Sequence, residues 1–150
     1  MQPRFEFLMR LTVDVGEVVS MGVTPLGERR VVAILGGTFE GPEMRGEVLP
    51  GADWQLARED GVLDIDARYA LKEEAGGIVS VVSQGYRHGP SEVLAALAGG
   101  KVVDPAKYFF RTIMRFETGA PYLEWLNKTL AVTVAERQAR RVLLDAYRLL

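Results

Sequence analysis

The sequence predicts an all-β fold: a single-domain antiparallel β-barrel of about 8–10 strands over residues 1–150, with one short helical excursion near residues 91–98. Three observations predict it. Most segments alternate apolar and polar residues with period two, as half-buried strands do. The breaks between them are glycine, proline and aspartate turns at short intervals. And 150 residues with 48% hydrophobic and 25% charged side chains suit one packed domain. The choice of a barrel over a sandwich rests on strands that are apolar on one face with occasional polar residues among them, and on open sheets leaving edges that must be covered.

The elements follow in order. From Phe5 the odd positions Phe5, Phe7, Met9, Leu11, Val13 and Val15 are apolar, against Glu6, Leu8, Arg10, Thr12 and Asp14, so a strand is expected with its odd face on the core. Gly16 follows it. Arg29 to Phe39 is rich in Val and Ile and is interrupted by Gly36-Gly37, which predicts a bulge or a close backbone approach. Met44 to Leu49 reads as a brief strand between Gly41-Pro42 and a turn at Pro50-Gly51. Asp53 to Tyr86 reads as an antiparallel meander, with Asp60-Gly61 and Glu74-Ala75-Gly76-Gly77 as its turns and a clean alternation from Leu63 to Lys72.

Residues 87–106 change character. Arg87-His88-Gly89-Pro90 breaks the strand, Ser91 is placed to cap a short helix, and Gly99-Gly100 stops it. This is the longest connection in the chain, the kind that serves as a lid or binding loop. Strands resume at Lys107–Thr118, a turn falls at Pro121–Leu126, and Asn127–Ala135 is the next strand. Glu136–Leu150 is compatible with helix or strand; a strand that closes the sheet is the expectation.

Composition narrows function. The absence of cysteine excludes disulfides and thiolate chemistry, and one His excludes multi-imidazole metal sites. A formal charge of −2 gives no global attraction to nucleic acid or anionic lipid. The N-terminus has no leader-like apolar region and no stretch is long enough to span a bilayer, so a cytoplasmic protein with no membrane partner is the expectation. Neither glycine pair has the context of a phosphate loop, and no acidic spacing matches a calcium loop. No metal and no cofactor is expected.

Several blocks recur in an order that carries a resemblance. They are Gly36-Gly37-Thr38-Phe39-Glu40-Gly41-Pro42, Gly46-Glu47-Val48-Leu49-Pro50-Gly51-Ala52-Asp53-Trp54, Asp66-Ala67-Arg68-Tyr69, Tyr108-Phe109-Phe110-Arg111-Thr112, and Arg115-Phe116-Glu117-Thr118-Gly119 with Tyr122-Leu123-Glu124-Trp125-Leu126-Asn127. Together they resemble the domain of unknown function 3237 family, also called uncharacterised protein family 0311, from about Phe5 to Leu150. The resemblance implies a small antiparallel β-barrel and assigns no activity. Tyr86–Pro105 lies outside its motifs.

The candidate site residues each carry two readings. Asp53 is either a general acid or base at the barrel mouth, with Trp54 as an apolar wall, or a turn-capping side chain beside an ordinary core Trp. Arg111, Arg115 and Glu117 share one strand face, with Tyr108, Phe110 and Phe116 opposite. Facing the lumen, Arg111 would hold a carboxylate or phosphate and Glu117 would serve as acid or base; facing outward, they form a solvated ion-pair face. Arg68 with Asp66 is either an exposed pair or a brace for a lumen site. Tyr108, Trp125 and Asn127 form a cluster where late strands meet a mouth, either stacking on a ligand or plugging the barrel. His88 is a loop histidine.

Three functions are compatible with this pattern. The first is a barrel that binds a small, partly apolar and anionic molecule in its lumen through Trp54, Arg68, Tyr108, Arg111, Trp125 and Asn127. The second is a cofactor-independent isomerase, lyase or hydrolase using Asp53 or Glu117. The third is a structural protein with a filled barrel. A homo-oligomer is expected from the apolar content and the edge problem.

Overall fold

The computed structural model describes all residues 1–150. Eight strands run β1 Phe5–Thr24, β2 Gly27–Glu40, β3 Arg45–Ala57, β4 Leu63–Glu73, β5 Ile78–His88, β6 Phe109–Thr118, β7 Leu130–Arg137 and β8 Arg141–Leu149. Each pairs antiparallel with its sequence neighbour, and β8 pairs back onto β1, so the sheet closes and keeps no edge within the barrel. The seam between β1 and β8 carries cross-strand ion pairs on its outer face. Arg10 grips Asp145 with two contacts of 2.7 and 2.8 Å, and Arg148 meets Glu6 at 2.9 Å. The ambiguous terminal stretch is thus a closing strand.

Period two explains the walls. Leu63, Ile65, Ala67, Tyr69 and Leu71 of β4 are buried, as are Phe110, Thr112, Met114 and Phe116 of β6, while their sequence neighbours face out. The bulge anticipated at Gly36-Gly37 is a close approach. The register of β1 and β2 shifts at Asp14/Val15, Gly37 has φ +139, and a Cβ there would overlap the Thr12 carbonyl oxygen.

Four expectations need correction. Phe5 and Phe7 are exposed rather than core, because a register shift between Phe7 and Met9 flips the phase and sends both Leu8 and Met9 inward. Pro50-Gly51 does not end a strand. β3 runs through it at a register shift between Leu49 and Ala52, where Gly51 is pressed so closely on β4 that a Cβ would overlap the Arg68 carbonyl. Gly16 does not end β1, which continues with β2 as a hairpin arm that exposes Val18, Val19, Met21, Val23 and Leu26. Helix α1, Ser91–Ala98, starts from Pro90 with no side-chain cap, so Ser91 is its first residue and not its N-cap.

Antiparallel order places the β1–β2, β3–β4, β5–β6 and β7–β8 connections at one end. The other end receives the β2–β3, β4–β5 and β6–β7 connections. At that second end the 3-10 turn Pro121–Lys128 buries Leu123 and Leu126 beside Leu8, Phe39 and Met44. The first end receives the 89–108 excursion, anchored by Leu97, with Gly100 lying against Ala139 of the β7–β8 turn.

Candidate functional site

Alternation points every second side chain of a strand into the lumen. Toward the α1 end those side chains cease to be uniformly apolar. Asp53 and Gln55 of β3, Tyr69 of β4, Arg87 of β5 and Arg137 at the end of β7 line a cavity of ≈ 50 Å³, with Val13, Ile34, Phe110 and Leu144 among its apolar walls. One water needs roughly 10–15 Å³, so the space admits a group of a few heavy atoms.

The polar side chains form a chain of contacts. Asp53 Oδ2 accepts from Gln55 Nε2 at 2.8 Å, and its Oδ1 accepts from the Asp66 backbone N–H at 3.0 Å. Gln55 Oε1 in turn accepts from Arg30 Nη2 at 2.8 Å. Burial pushes the Asp53 carboxyl above the ordinary aspartate range, against the pull of those two hydrogen bonds and of the Arg87 charge. Burial also lowers the Arg87 guanidinium, to about 10, helped by repulsion from Arg137 and Arg30. Arg137 is lowered as well, by burial first.

Three buried polar atoms have no hydrogen-bond partner: the Tyr69 hydroxyl and the Nε atoms of Arg30 and Arg87. All three belong to this cluster. Tyr69 is only 8% exposed. Its hydroxyl is pushed up by burial and then by the negative charge of Asp53. Asp53 pairs with Ala67 across the β3–β4 ladder, and Tyr69 is the next inward residue on β4. Below the arginines, Ser83, Thr112 and Thr133 join hydroxyl to hydroxyl at 2.6 Å each across β5, β6 and β7. No three His, Asp or Glu side chains converge anywhere in the chain.

The sequence-predicted residues distribute over three places. Asp53 is in the lumen, and Tyr108 is buried outside the cavity lining against Arg137, its hydroxyl accepting from the Arg137 backbone N–H at 2.9 Å. Trp54 and Arg111 come together instead on the outer wall. They line a broad open groove of ≈ 620 Å³ with Tyr86, Phe109 and Ile113, and Arg111 lies 5.4 Å over the Phe109 ring. Trp54 is therefore neither core nor lumen wall, because β3 turns it outward as it turns Asp53 in. Arg115 and Glu117 share the outward face of β6, so of the two orientations open for Arg111/Arg115/Glu117 the solvated one is present. Arg68 also points out, 3.7 Å from Asp66. Trp125 and Asn127 lie at the far end, where Arg148 stacks 5.5 Å over Trp125 and Asn127 bonds both backbone groups of Thr118. His88 is exposed and stacked on Phe109 at 4.7 Å.

The outer groove is larger than the cavity, yet both its carboxylates are already engaged, Asp64 with Arg58 and Asp66 with Gln84, and its two arginines, Arg29 and Arg111, lie on the open outer wall with no buried polar atom left unpaired. Unpaired buried polar atoms occur only around the lumen, which makes the lumen the chemically poised site. Sequence reasoning missed Tyr69, Arg87, Arg137, Gln55 and Arg30. For Arg87 a signal existed: it shares parity with Val79, Val81 and Ser83, the inward face of β5.

Comparison with known proteins places these features in a wider set. A family model described as "Protein of unknown function (DUF3237)" matches residues 3–149. A UPF0311 protein of Rhodopseudomonas palustris is 40% identical over 153 residues, covering 100% of both chains. Among solved structures, the conserved protein of unknown function from Rhodopseudomonas palustris superposes with a TM-score of 0.94 at 39% identity, covering 100% of this chain and 99% of that one. A beta-barrel like protein from Acinetobacter baumannii gives a TM-score of 0.87 at 42% identity, covering 100% and 98%.

Proposed function

This chain belongs to the DUF3237 family, and from that premise, with no activity attached to the family description, we propose that its lumen binds a small, partly apolar anion. One observation carries the reading: the α1 end of an otherwise apolar lumen holds more positive than negative charge. Arg87 and Arg137 line the cavity, Arg30 reaches in through Gln55, and Asp53 is the single carboxylate among them. A buried cation without a full set of partners costs stability. An anion seated between Arg87 and Arg137 supplies the missing charge and the missing acceptors. The valine, isoleucine and leucine walls suit a short hydrocarbon portion. The cavity limits the enclosed part to an acid group with a few carbons.

The test is a thermal-denaturation titration with butanoate. Saturation at 100 times the dissociation constant adds about 2.7 kcal/mol to stability, an upward shift of several degrees. Arg87→Met removes that shift, while Arg111→Ala and Glu117→Gln on the outer wall retain it. An equal shift in wild type and Arg87→Met, or none in wild type, refutes the lumen site.

A further inference from the structure

Tyr69 is the residue in the lumen that anion binding alone does not explain. The residue is buried and lines the cavity, and its hydroxyl, within reach of the Asp53 charge, has no hydrogen-bond partner. An unmet buried hydroxyl destabilises the fold, and a phenylalanine would fill the same space without that penalty. Asp53 sits beside it on the neighbouring strand, one inward position away. Each Asp53 oxygen accepts one N–H and keeps a further lone pair. An uncompensated donor and a carboxylate thus flank one space, and Arg87 and Arg137 line the same cavity.

Resting on the anion-binding reading above, we infer that the lumen catalyses reversible proton transfer at the carbon next to the ketone of a small oxo acid, with Asp53 as the base and Tyr69 as the donor to the ketone oxygen. Arg87 and Arg137 hold the carboxylate. Asp53 takes a proton from the carbon, breaking the C–H bond and forming O–H on the carboxyl. The C–H electron pair becomes the carbon–carbon double bond, and the carbonyl π pair moves to oxygen, where the Tyr69 hydroxyl donates to it. Return of the proton from Asp53 to carbon regenerates the ketone. No oxidant, reductant or co-reactant enters the balance. The burial that raises the Asp53 carboxyl makes it a stronger base than an exposed aspartate. The arrangement also explains why the donor is uncharged: a tyrosine hydroxyl offers its proton without adding a fourth cation to the cluster.

The experiment measures deuterium exchange by ¹H NMR in D₂O, at the carbons flanking the ketone of 2-oxobutanoate and of 4-oxopentanoate. Butanoate, which has no ketone, reports binding alone. Wild type should exchange at least one oxo acid at least ~100-fold faster than buffer. Tyr69→Phe should lose ~100-fold in the exchange rate at saturation while its affinity for butanoate stays within about twofold; a merely structural tyrosine would move both or neither. Asp53→Asn should show no exchange above buffer, and Glu117→Gln should match wild type. Circular dichroism and melting curves confirm that each variant is folded. If butanoate binds to wild type but neither oxo acid exchanges faster than with Asp53→Asn, proton transfer is refuted and the anion site stands. If neither butanoate nor the oxo acids bind, both readings fall. Exchange unchanged in Tyr69→Phe overturns the role given to Tyr69.

Discussion

Replacing Arg87 by methionine should make the protein more stable, and the size of the gain can be worked out. Burial and the charges of Arg137 and Arg30 hold the Arg87 guanidinium at about 10, whereas an unfolded arginine keeps its ordinary, higher value. Each pH unit of that difference is worth ~1.4 kcal/mol, so carrying the charge costs the fold on the order of 3 kcal/mol. Methionine keeps an apolar stem of similar reach. It forfeits the stacking of the guanidinium over Phe110, 5.6 Å from its ring centre, worth ~0.5–1 kcal/mol, together with some stem packing. The expected net gain is ~1–2 kcal/mol at neutral pH, or about 3–6 °C in Tm for a chain of this size. The sign across pH follows from linkage. A cation whose folded value is depressed costs stability at every pH below that value, and the cost fades as pH rises through it, because the folded form discharges first. Urea denaturation of both proteins should therefore show a constant gap up to about pH 9 that narrows toward about pH 11. A variant that is less stable than wild type by about 1 kcal/mol or more, or a gap indifferent to pH, would mean that Arg87 braces the fold, and the case for an anion site would lose its footing.

Other changes probe the surroundings. Thr112→Val breaks both hydroxyl contacts to Ser83 and Thr133 and should cost ~1–3 kcal/mol in urea denaturation, with Thr112→Ser recovering most of it. Gly51→Ala brings a methyl onto the Arg68 carbonyl and to 2.7 Å from the Tyr69 Cβ. It should cost ~1–3 kcal/mol and weaken butanoate binding by displacing Tyr69. Glu73 is held below the usual glutamate range chiefly by the Ala75 backbone N–H, and also by the Tyr122 hydroxyl at 2.9 Å. Its stabilisation is thus present above the ordinary value of 4.5 and lost as pH falls through the lower folded value. Tyr122→Phe should accordingly lower the melting temperature at pH 7 and lower it progressively less below about pH 4, read from melting curves across pH. Val19→Lys with Val23→Lys on the exposed arm should leave stability within ~0.5 kcal/mol, since both side chains already face solvent.

Much of the barrel is legible in the alternation because wall residues of a closed sheet have one dry and one wet face. β4 and β6 are read correctly for that reason. The failures fall where a strand departs from period two without a local warning. The shift between Phe7 and Met9 changes which parity faces in, and the arm past Gly16 has no dry face at all. Pro50-Gly51 carries the composition of a turn, but the pairing of β3 with β2 and β4 holds it in a strand. The site is legible only in part. Asp53 stands out as a carboxylate in an apolar context. Tyr69 does not, since an inward tyrosine in a clean alternation is indistinguishable from core until its hydroxyl is found unpaired. Arg137 ends a strand and reads as surface charge, and only the closure of β8 onto β1 brings it over the same space as Asp53.

The two ends of the lumen make the strongest physical contrast. Both are built by the same eight strands, and a barrel of eight is just wide enough for side chains to fill. At the far end it is filled with Leu8, Phe39, Leu123 and Leu126. At the α1 end the same kind of space is given to two desolvated arginines, a carboxyl driven toward protonation and a hydroxyl without a partner. Each of these is worse for folding than the leucine or phenylalanine that fills the other end. Nothing in the architecture requires them, because the far end shows that hydrocarbon suffices to close the tube. Destabilising groups scattered through a core would be ordinary imperfection. Gathered on one cavity, they are what the proposed anion, with its charge and its oxygen atoms, would meet.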